Sequence, residues 1–304
     1  MKKEIKNKPA SIKAKLLSIS RSERIDFDNL LLRYLQERFL YRCSISKFSK
    51  YLVLKGGLLL ICLDIPMTRP TIDIDFLGEN IKNNPEDIKE MIKEIAGLDF
   101  NDGTKFLVSS IKSERIKEDT DYEGLRIKID AVLGKAKKKM QIDIGFGDKI
   151  IPKAEIMQFP TLLKEEAPVV RVYSVESIIS EKFEAMVKLA MVNSRMKDFY
   201  DVYNLSLNHE FTAGILKEAI TATFKRRKTI LPENPLVFQT DFRIDRGRQQ
   251  QWVAFLNKSR LFNVDKSFSK IMDRIVMFLK PIVSSIKNNT AIADRWNITA
   301  GIWE

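Results

Sequence analysis

The sequence predicts an α/β (α+β) protein, a sheet-containing core followed by a helical C-terminal domain, on three observations. Thr71-Ile72-Asp73-Ile74-Asp75-Phe76 alternates polar and apolar residues strictly, the period of a half-buried strand. Residues 125–133 and 140–144 read as two further strands, joined by the basic turn Gly134-Lys135-Ala136-Lys137-Lys138-Lys139. Beyond about residue 170 the apolar spacing becomes helical, over 175–192, 197–207, 213–224, 249–257 and 268–286. A boundary near Tyr173 divides the 304 residues into 1–172, a core with N-terminal helices, and 173–304, a helical domain. A chain of this length accommodates one large or two modest domains.

Taken in order, residues 11–20 and 21–45 are amphipathic helices. In the second, Ile25, Leu30, Leu31, Tyr34, Leu35, Phe39 and Leu40 recur near helical spacing and face a sheet. Tyr51-Leu52-Val53-Leu54 is a short buried strand, Gly56-Gly57 a turn, and 58–63 an apolar helix. The strand at 71–76 places Ile72, Ile74 and Phe76 in the core and both aspartates on the opposite face. Residues 85–97 are helical, and 229–248, punctuated by Pro232 and Pro235, form an ordered loop.

Composition narrows the chemistry. Lys and Arg number 52 against 40 Asp and Glu, a formal charge of +12, which suits a polyanionic partner or serves solubility alone. Cys43 and Cys62, the only cysteines, lack metal-ligand spacing and read as reduced, buried thiols. Met1-Lys2-Lys3-Glu4 has no apolar run behind it and no stretch is long enough to span a membrane, so a cytoplasmic protein is expected. The single histidine, His209, lies where a helix ends, which removes zinc sites and histidine bases from the usual routes. No Gly-x-x-x-x-Gly-Lys-Ser/Thr loop is present. Chemistry here falls to carboxylates and amines.

Asp73 and Asp75, two apart on a strand, project from one face about 6 to 7 Å apart and can share divalent metals. An isolated Asp-x-Asp is more often a solvated strand face. Gly56 and Gly57, ahead of an apolar helix, expose backbone N–H groups to a phosphate, or simply form a tight turn. Asp143, in Gln141-Ile142-Asp143-Ile144-Gly145, completes the metal site, accepts a proton from an attacking hydroxyl, or is structural.

A Gly-Gly turn, a later Asp-x-Asp strand and a third strand aspartate form a pattern that resembles the DNA polymerase β-like nucleotidyltransferase superfamily over roughly residues 50–146. Five stretches in order narrow the resemblance. They are Leu54-Lys55-Gly56-Gly57, Arg69-Pro70-Thr71-Ile72-Asp73-Ile74-Asp75-Phe76, Ile142-Asp143-Ile144-Gly145-Phe146-Gly147-Asp148, Glu181-Lys182-Phe183-Glu184-Ala185 and Arg195-Met196-Lys197-Asp198-Phe199-Tyr200-Asp201. Together they are similar to the AbiEii/AbiGii toxin family, and Phe224-Lys225-Arg226-Arg227-Lys228-Thr229 with Leu231-Pro232 and 252–255 extends the likeness towards the C-terminus.

The resemblance implies a mixed-sheet core and a toxin neutralised by a cognate antitoxin in phage defence, abortive infection or plasmid maintenance. It also implies NTP as substrate, Mg2+ as cofactor, and in some members nucleotide addition to tRNA 3′ ends. The metal carboxylates fall on Asp73 and Asp75, the triphosphate-binding lysine on Lys182 and the later motif aspartate on Asp198. The Gly-Gly turn departs from the family's Gly-Ser and lacks its hydroxyl. Outside the resemblance, Lys182 reads as a solvated lysine in a ladder with Glu181, Glu184 and Lys188. Arg195, Lys197, Asp198 and Asp201 likewise read as an ion-paired helix start. Arg69 contacts phosphate, orients Asp73, or forms a surface salt bridge. The cations Lys225, Arg226, Arg227 and Lys228, with Arg243, Arg246, Arg248 and Trp252 beyond them, follow an RNA backbone with an aromatic stacked on a base, or form a basic helix end.

The function expected is NMP transfer from an NTP to an RNA hydroxyl, at a tRNA 3′ end. The alternatives are NMP transfer to a protein hydroxyl or GTP binding, and a non-enzymatic module that binds nucleic acid or the antitoxin.

Overall fold

The computed structural model describes residues 7–66, 69–119 and 122–304, so the Met1–Glu4 segment lies outside the described residues. Two compact units are present. The first comprises residues up to 63, 70–147 and 155–172; the second comprises 64–69, 148–154 and 173–304.

The first unit is built on a seven-stranded mixed sheet with strands β1 (Leu52–Lys55), β2 (Asp73–Gly78), β3 (Thr104–Asp119), β4 (Tyr122–Leu133), β5 (Ala136–Phe146), β6 (Glu155–Gln158) and β7 (Val169–Val172). Their order is β3-β4-β5-β2-β1-β7-β6. β3, β4 and β5 form an antiparallel meander, β5 runs parallel to β2, and β2 antiparallel to β1. The strands that carry the aspartates are therefore adjacent at the centre of the sheet, although about 65 residues separate them in sequence.

Helices α1 (Lys8–Glu23), α2 (Phe27–Ile45), α3 (Gly56–Cys62) and α4 (Pro85–Gly97) complete this unit. Asn7, Asp26 and Asn84 cap α1, α2 and α4 by accepting from first-turn amides, which satisfies donors the helix itself cannot. α2 is buried far beyond an amphipathic stripe, since Gln36, Glu37, Arg38 and Arg42 are buried with its apolar residues. Each charge has a partner: Arg38 pairs with Glu37 at 2.7 Å, Arg42 with Asp102 at 2.6 Å, and Glu37 accepts from the Leu162 amide at 2.8 Å. Burial of this kind is tolerated only when the ions are paired and hydrogen-bonded.

Two expectations need correction, and three strands were not foreseen. Ile72 is 66% exposed and lies before β2, so the buried face of that strand is Ile74 and Phe76, continued by Leu77. The basic turn shrinks to Gly134-Lys135, with Leu133 paired to Ala136 and Lys137, Lys138 and Lys139 inside β5. Gly134 supplies the left-handed φ of 59° at the first turn position. The 16-residue β3 was not foreseen, because a register shift between Leu107 and Lys112 interrupts its alternation. The four-residue strands β6 and β7 are too short for period alone to reveal.

The second unit is helical: α5 (Val175–Leu189), α6 (Met196–Asn208), α7 (Ala213–Arg226), α8 (Thr240–Arg243), α9 (Arg246–Ser259) and α10 (Phe268–Asn288), closed by a hairpin of β8 (Trp296–Asn297) and β9 (Ile302–Trp303). The 229–248 segment is thus ordered but contains α8 and a short 3-10 turn at Leu236–Phe238. The core of the unit is aromatic, with Phe199, Phe242, Trp252 and Phe268 in one cluster of ring contacts and Phe183 against Phe224 and Phe238. His209 ends α6, as expected, with its ring 4.9 Å from that of Phe211.

Candidate active site

The central strands set out five charged side chains in one row. Lys55 on β1 pairs with Asp75 on β2, Asp75 with Asp143 on β5, Asp143 with Arg126 on β4, and Arg126 with Glu114 on β3. In-register partners project to the same face at about 5 Å spacing. Asp73, two residues before Asp75, stands on that face opposite Gln141. Ile74 and Phe76 hold the strand by burying its other face, which leaves Asp73 and Asp75 half-buried while Asp143 is 8% exposed.

Arg126 grips Asp143 with two parallel bonds, Nε to Oδ1 at 2.9 Å and Nη2 to Oδ2 at 2.7 Å, and Gln141 Nε2 donates to Oδ2 at 3.1 Å. The bond it donates to Asp143 holds the Arg126 guanidinium above its ordinary pKa, with the charges of Asp143 and Asp73 adding to it against some burial.

Gly56 opens α3 with a left-handed φ of 69°, and a Cβ there would lie 1.9 Å from Asp75 Oδ2. Only glycine permits this approach. α3 has seven residues, so its dipole is short, and Gly57 is buried within it.

Asp73, Asp75 and Asp143 offer only carboxylate oxygens, the donor set of a hard divalent cation such as Mg2+. Gly56 lets its backbone pack directly against the Asp75 carboxylate. Among the described residues no three His, Cys, Asp or Glu stand grouped to hold a metal. On this face both oxygens of Asp143 accept from Arg126, and Oδ2 also from Gln141.

In the second unit Lys182, on α5, is buried between two carboxylates of α6, 2.9 Å from Asp198 and 2.8 Å from Asp201. Arg195 reaches Asp198 at 2.6 Å, and Arg69 binds Asp201 through Nε at 3.0 Å and Nη2 at 2.9 Å. Arg69 is therefore bound to Asp201 in a largely buried salt bridge rather than a surface one. Burial disfavours the Lys182 charge, but Asp198 and Asp201 outweigh it and hold its pKa above the ordinary lysine value. Burial likewise opposes ionisation of Asp198, and Lys182 and Arg195 outweigh that, leaving its pKa below the ordinary carboxylate value.

The family profile described as "Nucleotidyl transferase AbiEii toxin, Type IV TA system" matches residues 38–274, well over half of the chain. The chain belongs to this AbiEii family. It is thus a nucleotidyltransferase toxin of the type IV toxin–antitoxin class, with an NTP as substrate and an antitoxin as partner. No curated protein matches it. Two Helicobacter pylori crystal structures are similar. One, a protein provisionally named a nucleotidyltransferase, is 16% identical with a TM-score of 0.49 over 87% of this chain and 98% of that one. The other, JHP933, is 17% identical with a TM-score of 0.49 over 86% and 94%. Among the described residues of this AbiEii chain no helix is long and apolar enough to cross a membrane.

The expected RNA-contacting cluster of the AbiEii chain divides in two. Lys225, Arg226 and Lys228 are exposed and line a groove with Lys149, Lys217 and Thr221, all within the second unit. Arg227 turns the other way: its side chain is 12% exposed and meets Glu184 at 3.0 Å and Glu181 at 3.2 Å. Trp252 is fully buried and donates to the Asp265 carbonyl at 3.0 Å, so it stacks on no base. Arg248 is buried as well and donates to the Met191 carbonyl at 2.7 Å, while Arg243 pairs with Asp273. Arg246 is exposed.

Two participants escaped the sequence reading. Arg126 sits in Leu125-Arg126-Ile127-Lys128-Ile129, whose alternation places it on the polar face, but its partner is set by strand register. Asp201, one turn after Asp198 on α6, was legible as part of an ion-paired helix start but not as the second carboxylate on Lys182.

Proposed function

We propose that this AbiEii chain transfers a nucleoside monophosphate from an NTP to an RNA hydroxyl, at a tRNA 3′ end, and that Asp73, Asp75 and Asp143 hold Mg2+ for the purpose. The observation that carries the reading is the row in which Asp75 stands in register with Asp143, with Asp73 on the same face and the Gly56 backbone packed against Asp75. In the reaction a new bond joins the RNA oxygen to the α-phosphorus, the bond from that phosphorus to the β-phosphate bridge breaks, pyrophosphate leaves and the hydroxyl proton is lost. Magnesium, when bound, would neutralise charge on the phosphate oxygens and the leaving group.

The residues supply the rest. Asp73 and Asp75 would hold the metal from a strand whose other face is locked in the core, which fixes their positions without reorganisation. Asp143 adds the third carboxylate or accepts the hydroxyl proton. Lys182 serves the triphosphate as a point charge: of its three ammonium donors, Asp198 and Asp201 engage two. Asp198 and, through Asp201, Arg69 then act as positioning residues for Lys182. Gly56 and Gly57 present backbone to the nucleotide. The exposed cations Lys225, Arg226 and Lys228 follow the RNA backbone, and Arg227 is removed from that role.

The test is incubation of the protein with each α-labelled NTP, Mg2+ and total bacterial tRNA, beside Asp73→Ala and Lys182→Ala variants whose folding is checked by circular dichroism. Label on tRNA that disappears in both folded variants is the expected result. Label on protein instead, or none on any RNA, overturns the RNA acceptor and returns the reading to protein modification or binding.

A further inference from the structure

Asp143 meets more hydrogen-bond donors than a waiting metal ligand should. A carboxylate offers about four lone-pair sites. Arg126 takes one on each oxygen in a bidentate pair, and Gln141 takes another on Oδ2. The Arg126 side chain is 31% exposed and that of Asp143 11%, so the pair is shielded on the carboxylate side and open to solvent on the guanidinium side. Arg126 thus compensates part of the carboxylate charge that a divalent ion would need.

We propose that Arg126 is a resident counter-ion of the carboxylate row, which holds Asp143 in place of a divalent cation and must give up at least part of its grip when the metal binds. Two like-signed cations cannot share Asp143 cheaply: a guanidinium and a divalent ion about 5 Å apart repel by enough, even at the dielectric of water, to change affinity by about tenfold. Arg126 therefore keeps the site ordered and its affinity for metal alone low. An incoming triphosphate offers the guanidinium a replacement anion of matching geometry. Metal and nucleotide then bind cooperatively, because each removes a penalty from the other. The inference rests on the reading of Asp73, Asp75 and Asp143 as metal ligands.

Free Mn2+ measured by its paramagnetic resonance signal during titration of the nucleotide-free protein tests this without reference to activity. The Arg126→Gln variant is expected to bind Mn2+ about tenfold more tightly than the parent chain, by the repulsion removed. Glu114→Gln, on the same face but paired to Lys128 at 2.7 Å, should not tighten binding. Arg126→Lys, which keeps the charge and loses the fork, should bind like the parent. Unchanged or weaker Mn2+ binding by Arg126→Gln, with its circular dichroism spectrum retained, would overturn the inference and make Arg126 a simple support for Asp143. Asp75→Asn separates the two readings: should it bind Mn2+ as the parent does, the metal-ligand reading itself fails.

Discussion

Single positions decide more in this protein than their residue types suggest. Gly56 is required twice, by its positive φ and by the 1.9 Å that a Cβ would leave to Asp75 Oδ2. Gly56→Ala should lower the melting temperature modestly, since a left-handed alanine costs about 1 kcal/mol, and yet reduce nucleotide transfer by more than about a hundredfold if Asp75 moves by as little as an ångström. Melting curves and labelled-NTP assays on one preparation check this, and retention of full activity would sink it. Arg227 makes the opposite point. Three adjacent cations share its sequence context, but its charge is spent on Glu181 and Glu184; burial disfavours the charged guanidinium, and the carboxylates outweigh that and leave its pKa raised.

At the scale of elements, period was informative wherever an element kept one face buried throughout. The helix 85–97 and strand β2 were legible for that reason, and β3 was not, because its register shift moves the buried set from one parity to the other. The α5–α6 pair is held by buried charge as well as by apolar contact. Asp198 has a depressed pKa in the fold, so its contribution to stability is present above its ordinary value of 3.8 and is lost as pH falls through the lower native value. Lys182 has a raised pKa, so its contribution is present below 10.5 and is lost as pH rises through the higher native value. Lys182→Met removes one of two cations from each aspartate, Arg195 still meeting Asp198 and Arg69 still meeting Asp201, and should cost about 1.5–3 kcal/mol at neutral pH. That deficit should shrink in acid below about pH 3.8, where protonation of Asp198 removes the charge that Lys182 offsets. Denaturant melts across pH measure both, and a pH-independent deficit would contradict the assignment.

At the scale of the whole molecule, the formal charge of +12 favours polyanions, but only exposed cations contribute to backbone contact. Replacing Lys225, Arg226 and Lys228 together by Gln should weaken tRNA binding and reduce the magnitude of its logarithmic salt slope by about 2, at roughly 0.7 per single-strand phosphate contact. Arg227→Gln should instead destabilise the fold. A filter-binding series from low to high salt distinguishes them, and an unchanged slope in the triple variant would remove the groove from the RNA path. The +12 also bounds what charge alone means: Arg38, Arg42, Arg227 and Arg248 count toward it while buried against partners of this same chain.

The sequence by itself determined the fold class, the helices of the second half, the Asp-x-Asp strand and, through five short stretches in order, the nucleotidyltransferase family. These follow from local order, which is written in residue spacing. Only the tertiary structure decided that Asp143 stands beside Asp75, that Arg126 answers it, that Lys182 lies between two carboxylates, and that Trp252 and Arg227 face inward. Strand register and burial are set by contacts between residues far apart in the chain. A cation in sequence therefore carries no mark of whether its counter-ion is a neighbouring strand, a helix turn or a ligand.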